Sequence, residues 1–173
     1  MSPYLAEFVG TTTLLYLGNG VNANVSLKKT YGNKSGWLVI SLGWGLAVFM
    51  GVVISGSFSG GHLNPAVSVG LAIVGKFSWS FVPGYILAQM SGALMGALLV
   101  FMQYKDHFTV TVDAKSKLGV FATSPAIKNN FNNILSEILG TFMLVFGVFY
   151  LIDGEGIGSL NALPVGLLVT VIG

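Results

Sequence analysis

Residues 59–68 read SGGHLNPAVS and bring several groups that could act on a solute into one short stretch. Asn64 is a strong helix N-cap and Pro65 is favoured at a first helical position, so a short helix is predicted to begin at Pro65 and to continue through Ala66. We expect the four preceding residues to be extended and to offer carbonyl oxygens in a row: Gly60, Gly61, His62 and Leu63. Carbonyl acceptors that lead to an Asn amide at the positive end of a helix suit a neutral, hydroxyl-bearing solute and disfavour cations.

Three ionisable side chains stand in or beside apolar sequence. Glu7 and Glu137 lie within long apolar segments, where a charge is costly and usually functional, so a proton relay is one hypothesis for them. His62 is a candidate metal ligand or pH gate. No second His, Cys or carboxylate lies near it in sequence, which favours a hydrogen-bonding histidine that fixes the loop.

The composition indicates a membrane protein. Of the 173 residues, 53% are hydrophobic and 8% are charged, whereas soluble domains carry about 25% charged residues. We therefore expect a multi-pass protein in contact with a lipid bilayer. The net charge of +2 is too small to indicate a nucleic-acid partner. No nucleophile–base pair typical of an enzyme is visible, and we expect no cofactor and no metal ion.

Long apolar segments must position the motif, since a spanning helix needs roughly 20 mostly apolar residues. Four segments meet or approach this length, at residues 4–25, 37–55, 81–103 and 133–152, and a fifth begins near residue 160. The run 66–75 is too short to cross a bilayer. In the segment 81–103 we expect Gln89 to bond a neighbouring helix or loop, and Gly92-x-x-x-Gly96 to permit close helix packing.

Internal similarity divides the chain into two related parts. AEFVGTTTLLYLGNG, from residue 6, resembles SEILGTFMLVFGVFY, from residue 136, and aligns Glu7 with Glu137; further along, Gly45 aligns with Gly166. We expect a first repeat over residues 1–103 with a re-entrant half-helix at about 65–75, a long loop over 104–132 and a partial second repeat over 133–173. If the first copy has three spanning helices, the second enters from the opposite face, which is typical of channels and transporters.

SGGHLNPAVSVG resembles the first pore-loop signature of the major intrinsic protein family, the aquaporins and glycerol facilitators. The resemblance covers essentially the whole chain through the paired Glu-x-x-Gly-Thr segments, GWGLAVFMGV, LAQMSGALMGA and LPVGLLVTVIG. It implies an all-α membrane protein, an inverted-repeat helical bundle with a re-entrant half-helix. It also implies one pore in each subunit of a homotetramer.

The resemblance assigns roles to individual residues. Asn64 matches the first of two Asn donors to the passing solute, and the carbonyls of residues 60–63 match the acceptor row. Trp44, which taken alone could equally face lipid, and Gly173 match the constriction of glycerol facilitators, where Trp with Gly leaves a wide, apolar passage. Glu7 and Glu137 then support pore loops rather than relay protons.

The family's second Asn-Pro-Ala and the Arg that follows it do not occur in the 173 residues. We therefore expect a bundle that lacks the second pore half-helix and the sixth spanning helix. The predicted function, in the full-length form, is passive conduction of glycerol or a similar small polyol, with some water. The alternatives are a truncated fragment that does not conduct, and a secondary transporter with inverted repeats and an ionisable coupling site.

Charge and resemblance disagree on orientation. The polar loops 22–36 and 104–132 carry seven of the eight lysines, which by the positive-inside rule makes their side cytoplasmic. The resemblance instead makes the loop 104–132 extracellular and puts the N-terminus in the cytoplasm of a cell-membrane protein. We follow the resemblance.

Overall fold

The computed structural model describes residues 1–151 and 158–172. Within these ranges the chain forms helices and connecting turns, without a strand. The α-helices are α1 Pro3–Ser26, α2 Trp37–Ser59, α3 Pro65–Ile73, α4 Val82–Gln103, α5 Lys105–Val110, α6 Ala114–Leu118, α7 Asn130–Leu151 and α8 Leu163–Ile172, and a 3-10 helix at Gly158–Ala162 precedes α8. Of the described helices, α2, α4 and α7 are long and apolar enough to cross a membrane.

Helix α1 packs against both α2 and α4. It has 24 residues, enough to span, but its buried side includes Glu7, Thr11, Asn19 and Asn22. Polar side chains lie inside because the surroundings expected for this chain are lipid, where only protein can satisfy them. The polar loop predicted from residue 22 in fact begins after Ser26, since buried Asn side chains are accommodated within the helix.

Glycines set the distance between α1 and α4. A Cβ atom placed on Gly92 would lie 2.5 Å from the carbonyl oxygen of Phe8, and one on Gly96 would lie 2.7 Å from that of Thr12. Backbone therefore packs against backbone at both positions. The close packing predicted from the Gly92-x-x-x-Gly96 spacing is confirmed.

The aligned glycines of the two repeats meet where α2 crosses α8. A Cβ atom on Gly45 would lie 2.6 Å from the carbonyl oxygen of Gly166, and one on Gly166 would lie 2.5 Å from that of Gly45. In a two-fold arrangement, equivalent residues touch each other only where they flank the axis. This mutual contact agrees with an inverted repeat whose axis passes near Gly45 and Gly166.

Helix α3 is a half-length helix of nine residues, about 14 Å long. It begins at Pro65 with Asn64 as its cap, as the sequence predicts, and ends at Ile73, two residues before the predicted end. Val74 caps it and Gly75 follows with φ 74°. Helix α3 packs against α4 on one side and α7 on the other.

The long segment between α4 and α7 is folded rather than simply hydrophilic. It contains α5 and α6, and its Phe108 and Val120 are buried in a cluster with Ala23, Leu27 and Val100. Asp113 caps α6, and hydrogen bonds from the Ser116 hydroxyl and then from the Ser116 backbone N–H lower the pKa of Asp113. The segment thus has its own small core against the ends of α1 and α4.

Candidate solute pathway

Glu7 holds the segment that links α2 to α3. Its Oε1 accepts from the Ser59 hydroxyl at 2.6 Å and from the His62 N–H at 3.0 Å. Its Oε2 accepts from the Leu63 N–H at 2.8 Å and from the Gln89 amide at 2.8 Å. The side chain is fully buried. Four donors converge on one carboxylate, which therefore fixes the linking segment to α1 and α4.

In the backbone of residues 60–63 the N–H groups are hydrogen-bonded, whereas the carbonyl oxygens are not paired within the described chain. The Gly60 N–H bonds the Gly56 carbonyl at 2.9 Å and the Gly61 N–H bonds the Ser59 hydroxyl at 3.1 Å, while the next two N–H groups bond Glu7. Within the described part of the chain, none of the four carbonyl oxygens accepts a hydrogen bond. Gly60 and Gly61 are at least partly exposed, whereas His62 and Leu63 are buried. An unmet buried acceptor costs about 1–3 kcal/mol, so the carbonyls of His62 and Leu63 in particular require water or a solute.

The prediction that residues 60–63 are extended is wrong. Gly60, Gly61 and Leu63 have φ of 85°, 65° and 51°, in the left-handed region. For leucine this conformation costs roughly 1–2 kcal/mol. The Leu63 side chain compensates by filling a slot made by two glycines, since a Cβ atom on Gly10 or Gly51 would lie 2.7 Å or 2.8 Å from its methyl groups. Tertiary contacts impose this turn, and the local conformational preferences of the residues do not reveal such contacts.

A second layer of polar contacts surrounds His62 and Gln89. The Ser68 hydroxyl lies 3.0 Å from His62 Nδ1 and accepts from Gln89 Nε2 at 3.0 Å. The Tyr85 hydroxyl donates to the Ser59 carbonyl at 2.9 Å. No role was predicted from the sequence for Ser59, Ser68 or Tyr85. Ser68 could have been found, because it lies four residues after Asn64 and therefore on the same face of α3.

Asn64 has two polar ends with different surroundings. Its Oδ1 accepts from the Ala66 N–H at 2.8 Å and caps α3. Among the described residues, no hydrogen bond occupies its Nδ2. The cap fixes the oxygen, and so it leaves the amide as a donor at the positive end of a helix.

A cavity of about 840 Å³ lies between the two parts of the chain. Its wall includes Gly60, Gly61, His62, Leu63, Asn64 and Trp44. Most of the remaining wall is aliphatic, from α1, α2, α7 and α8, with Ser57 and Asn161 adding polar atoms. No Asp, Glu or Lys occurs among the described residues of this wall. The cavity therefore offers hydrogen bonds on one side and a neutral apolar surface on the other.

Not every predicted site residue lies at this cavity. Pro65 begins α3, and Ala66 faces a second, open groove of about 770 Å³ that also holds Glu137. Glu137 is exposed and has no hydrogen bond or ion pair within residues 1–151 and 158–172, in contrast to its repeat partner Glu7. The prediction for Gly173 falls outside the described residues.

Comparisons with known proteins agree with this architecture. The family model for the major intrinsic protein matches residues 1–173. The chain is 52% identical over 173 residues to the probable glycerol uptake facilitator protein of Thermotoga maritima, covering all of this chain and 74% of that protein. It is 46% identical over 173 residues to the glycerol uptake facilitator protein of Bacillus subtilis, covering 63% of it.

A solved structure shares the fold. The X-ray structure of the aquaglyceroporin from Plasmodium falciparum superposes with a TM-score of 0.77 at 35% identity, over 98% of this chain and 69% of that one. The half-helix, the buried Glu7 and the Asn64 cap therefore occur in an aquaglyceroporin-like bundle of membrane helices. The chain belongs to the major intrinsic protein family of membrane channels.

Proposed function

We propose that the full-length protein is a passive channel for glycerol and other small neutral solutes, with some water. The observation that carries the proposal is that the four residues whose carbonyls are unpaired within the described chain line the cavity, next to Asn64 with its free amide. A polyol carries hydroxyl groups that can replace water at these acceptors and at the donor. Its carbon backbone can then lie against the aliphatic wall and Trp44.

The neutral wall favours a channel over a coupled transporter. A secondary transporter needs an ionisable group in its pathway to couple solute to an ion gradient. Apart from His62, the described wall of the cavity is not ionisable. Glu7 has both carboxylate oxygens occupied by donors, and this supports a role in holding the loop rather than in relaying protons.

Proteoliposomes that contain the full-length protein are the direct test. In an inward glycerol gradient they should swell at least tenfold faster than empty vesicles, with a rate that an imposed pH gradient does not change. Swelling no faster than that of empty vesicles would favour the non-conducting alternative. A rate that depends on the pH gradient would favour the transporter.

Asn64→Asp is expected to reduce glycerol permeability at least tenfold while the fold is preserved. Asp is as good an N-cap as Asn, so the bond to the Ala66 N–H survives, but the amide donor becomes a second carboxylate oxygen. A matched control is Asn129→Asp. The Oδ1 of Asn129 also accepts from a backbone N–H, that of Asn132, but Asn129 does not line the cavity. The control should conduct like the wild type, and equal rates for the two variants would contradict the role of the amide.

We further propose that the protein lies in the cell membrane as a homotetramer with one pathway per subunit and with its N-terminus in the cytoplasm. Exposed apolar side chains on α4 and α7, among them Leu87, Leu94, Ile138 and Phe142, are available to lipid or to neighbouring subunits. Chemical cross-linking in membranes tests the assembly. Protease access to an N-terminal tag in sealed cells tests the orientation.

A further inference from the structure

Trp44 is fixed to α1 at two points. Its indole Nε1–H donates to Asn22 Oδ1 at 3.0 Å. Its ring lies against Gly18, where an added Cβ atom would stand 2.7 Å from the ring carbon Cε3. Gly18 and Asn22 are one turn apart on the same face of α1. Trp44 lines the cavity. Helix α1 therefore fixes both the position of its indole N–H and the plane of its ring.

Asn22 is itself held by the segment between α4 and α7. Its Nδ2 donates to the Val120 carbonyl at 3.2 Å, and the side chain is only 8% exposed. The indole N–H can only donate and the carbonyl can only accept, so the orientation of the Asn22 amide is fixed. In a flipped amide the NH₂ group would face the indole N–H and the oxygen would face the Val120 carbonyl oxygen. Neither Asp nor Leu could make both bonds.

The Val120 carbonyl is a rigid anchor. Val120 is fully buried in the cluster with Ala23, Leu27 and Phe108. The same segment also bonds the chain just after α1, since the Lys28 N–H donates to the Thr111 hydroxyl at 2.9 Å and His107 Nδ1 lies 3.0 Å from the Lys28 carbonyl. A displacement of the segment would therefore be transmitted through Asn22 to the Trp44 ring.

We propose that Asn22 is a positioning residue that ties the orientation of Trp44, and with it solute selectivity, to the folded segment between α4 and α7. The inference rests on the proposed function. It goes beyond that function because neither Asn22 nor Val120 lines the cavity. Selectivity then depends on residues that no permeant touches.

The test compares Asn22→Leu in two backgrounds of the full-length protein. With Trp44 present, loss of the bond should change the ratio of glycerol to water permeability in proteoliposomes by about threefold to tenfold, the range that corresponds to one net hydrogen bond. With Trp44→Phe, which has no N–H, Asn22→Leu should leave the ratio unchanged. An equal change in both backgrounds, or no change in either, would overturn the proposal.

A spectroscopic measurement separates this inference from conduction. With the other tryptophans replaced by phenylalanine, including Trp37 and Trp79, Trp44 alone reports on its indole N–H. Asn22→Leu should shift its emission and increase its quenching by acrylamide, even if the vesicles do not conduct. Unchanged emission and quenching would refute the bond whatever the flux result.

If Asn22→Leu does not fold, Asn22→Asp serves in its place. It keeps the size of the side chain and an acceptor for Trp44, and it replaces the donor to Val120 with a carboxylate oxygen that cannot donate when ionised. The expected outcome is again a change of selectivity with Trp44 and none with Trp44→Phe. Wild-type selectivity with Trp44 would show that the segment does not act through Asn22.

Discussion

Replacing Glu7 with glutamine is expected to reduce glycerol conduction by the full-length protein at least tenfold, although the two side chains have nearly the same size. Each carboxylate oxygen accepts two hydrogen bonds. In glutamine one oxygen becomes an NH₂ group, which must face the backbone N–H of either His62 or Leu63; the Ser59 hydroxyl and the Gln89 amide can turn to accept, but a backbone N–H cannot. Hydrogen bonds to a charged group contribute about 1.5–3 kcal/mol each, and the loss of one, with the charge gone from the others, would loosen residues 60–63.

The effect should act on the carbonyl row and not on the bundle as a whole. Stopped-flow swelling measures the conduction, and circular dichroism of the same samples measures the helix content, which should be unchanged. Asp113→Asn is the matched control, because it makes the same chemical change at an exposed cap outside the cavity. Wild-type flux in the Glu7→Gln variant would mean that the carboxylate does not hold the pathway open.

The start of the half-helix was predictable because its signal is local. Asn64 and Pro65 are adjacent, and both affect only the first turn of α3. These two residues alone therefore predict the N-cap and the first position of the helix. The long apolar helices were predictable for a similar reason, since hydrophobic length alone predicts a span. The aligned glycines of the repeat gave one long-range contact, between α2 and α8.

The conformation of residues 60–63 was not predictable because its causes are distant in sequence. Leu63 adopts positive φ through a bond to Glu7, 56 residues away, and through a slot made by glycines of two other helices. The role of Asn22 was missed for the same reason. It was assigned to a polar loop, and only the indole of Trp44 and a carbonyl 98 residues away explain an Asn inside a helix.

Gly45→Ala is expected to destabilise the protein by about 1–3 kcal/mol, the usual cost of adding a methyl group to a fully packed contact. The new Cβ atom would stand 2.6 Å from the Gly166 carbonyl oxygen, and backbone cannot rotate out of the way as a side chain can. The helices α2 and α8 must therefore separate, and the cavity between them must change shape. Thermal unfolding of the full-length protein in detergent, followed by circular dichroism, measures the loss.

Gly20→Ala is the control, because an added Cβ atom there meets nothing within 4 Å. It should be neutral or stabilise α1 by up to about 1 kcal/mol through helix propensity. Equal stability of Gly45→Ala and Gly20→Ala would contradict the close crossing.

The double variant Gly45→Ala with Gly166→Ala tests the contact between the two glycines most directly. Both methyl groups enter one contact, so once the first has moved the helices apart the second should cost less, and the double variant should lose less stability than the sum of the single ones.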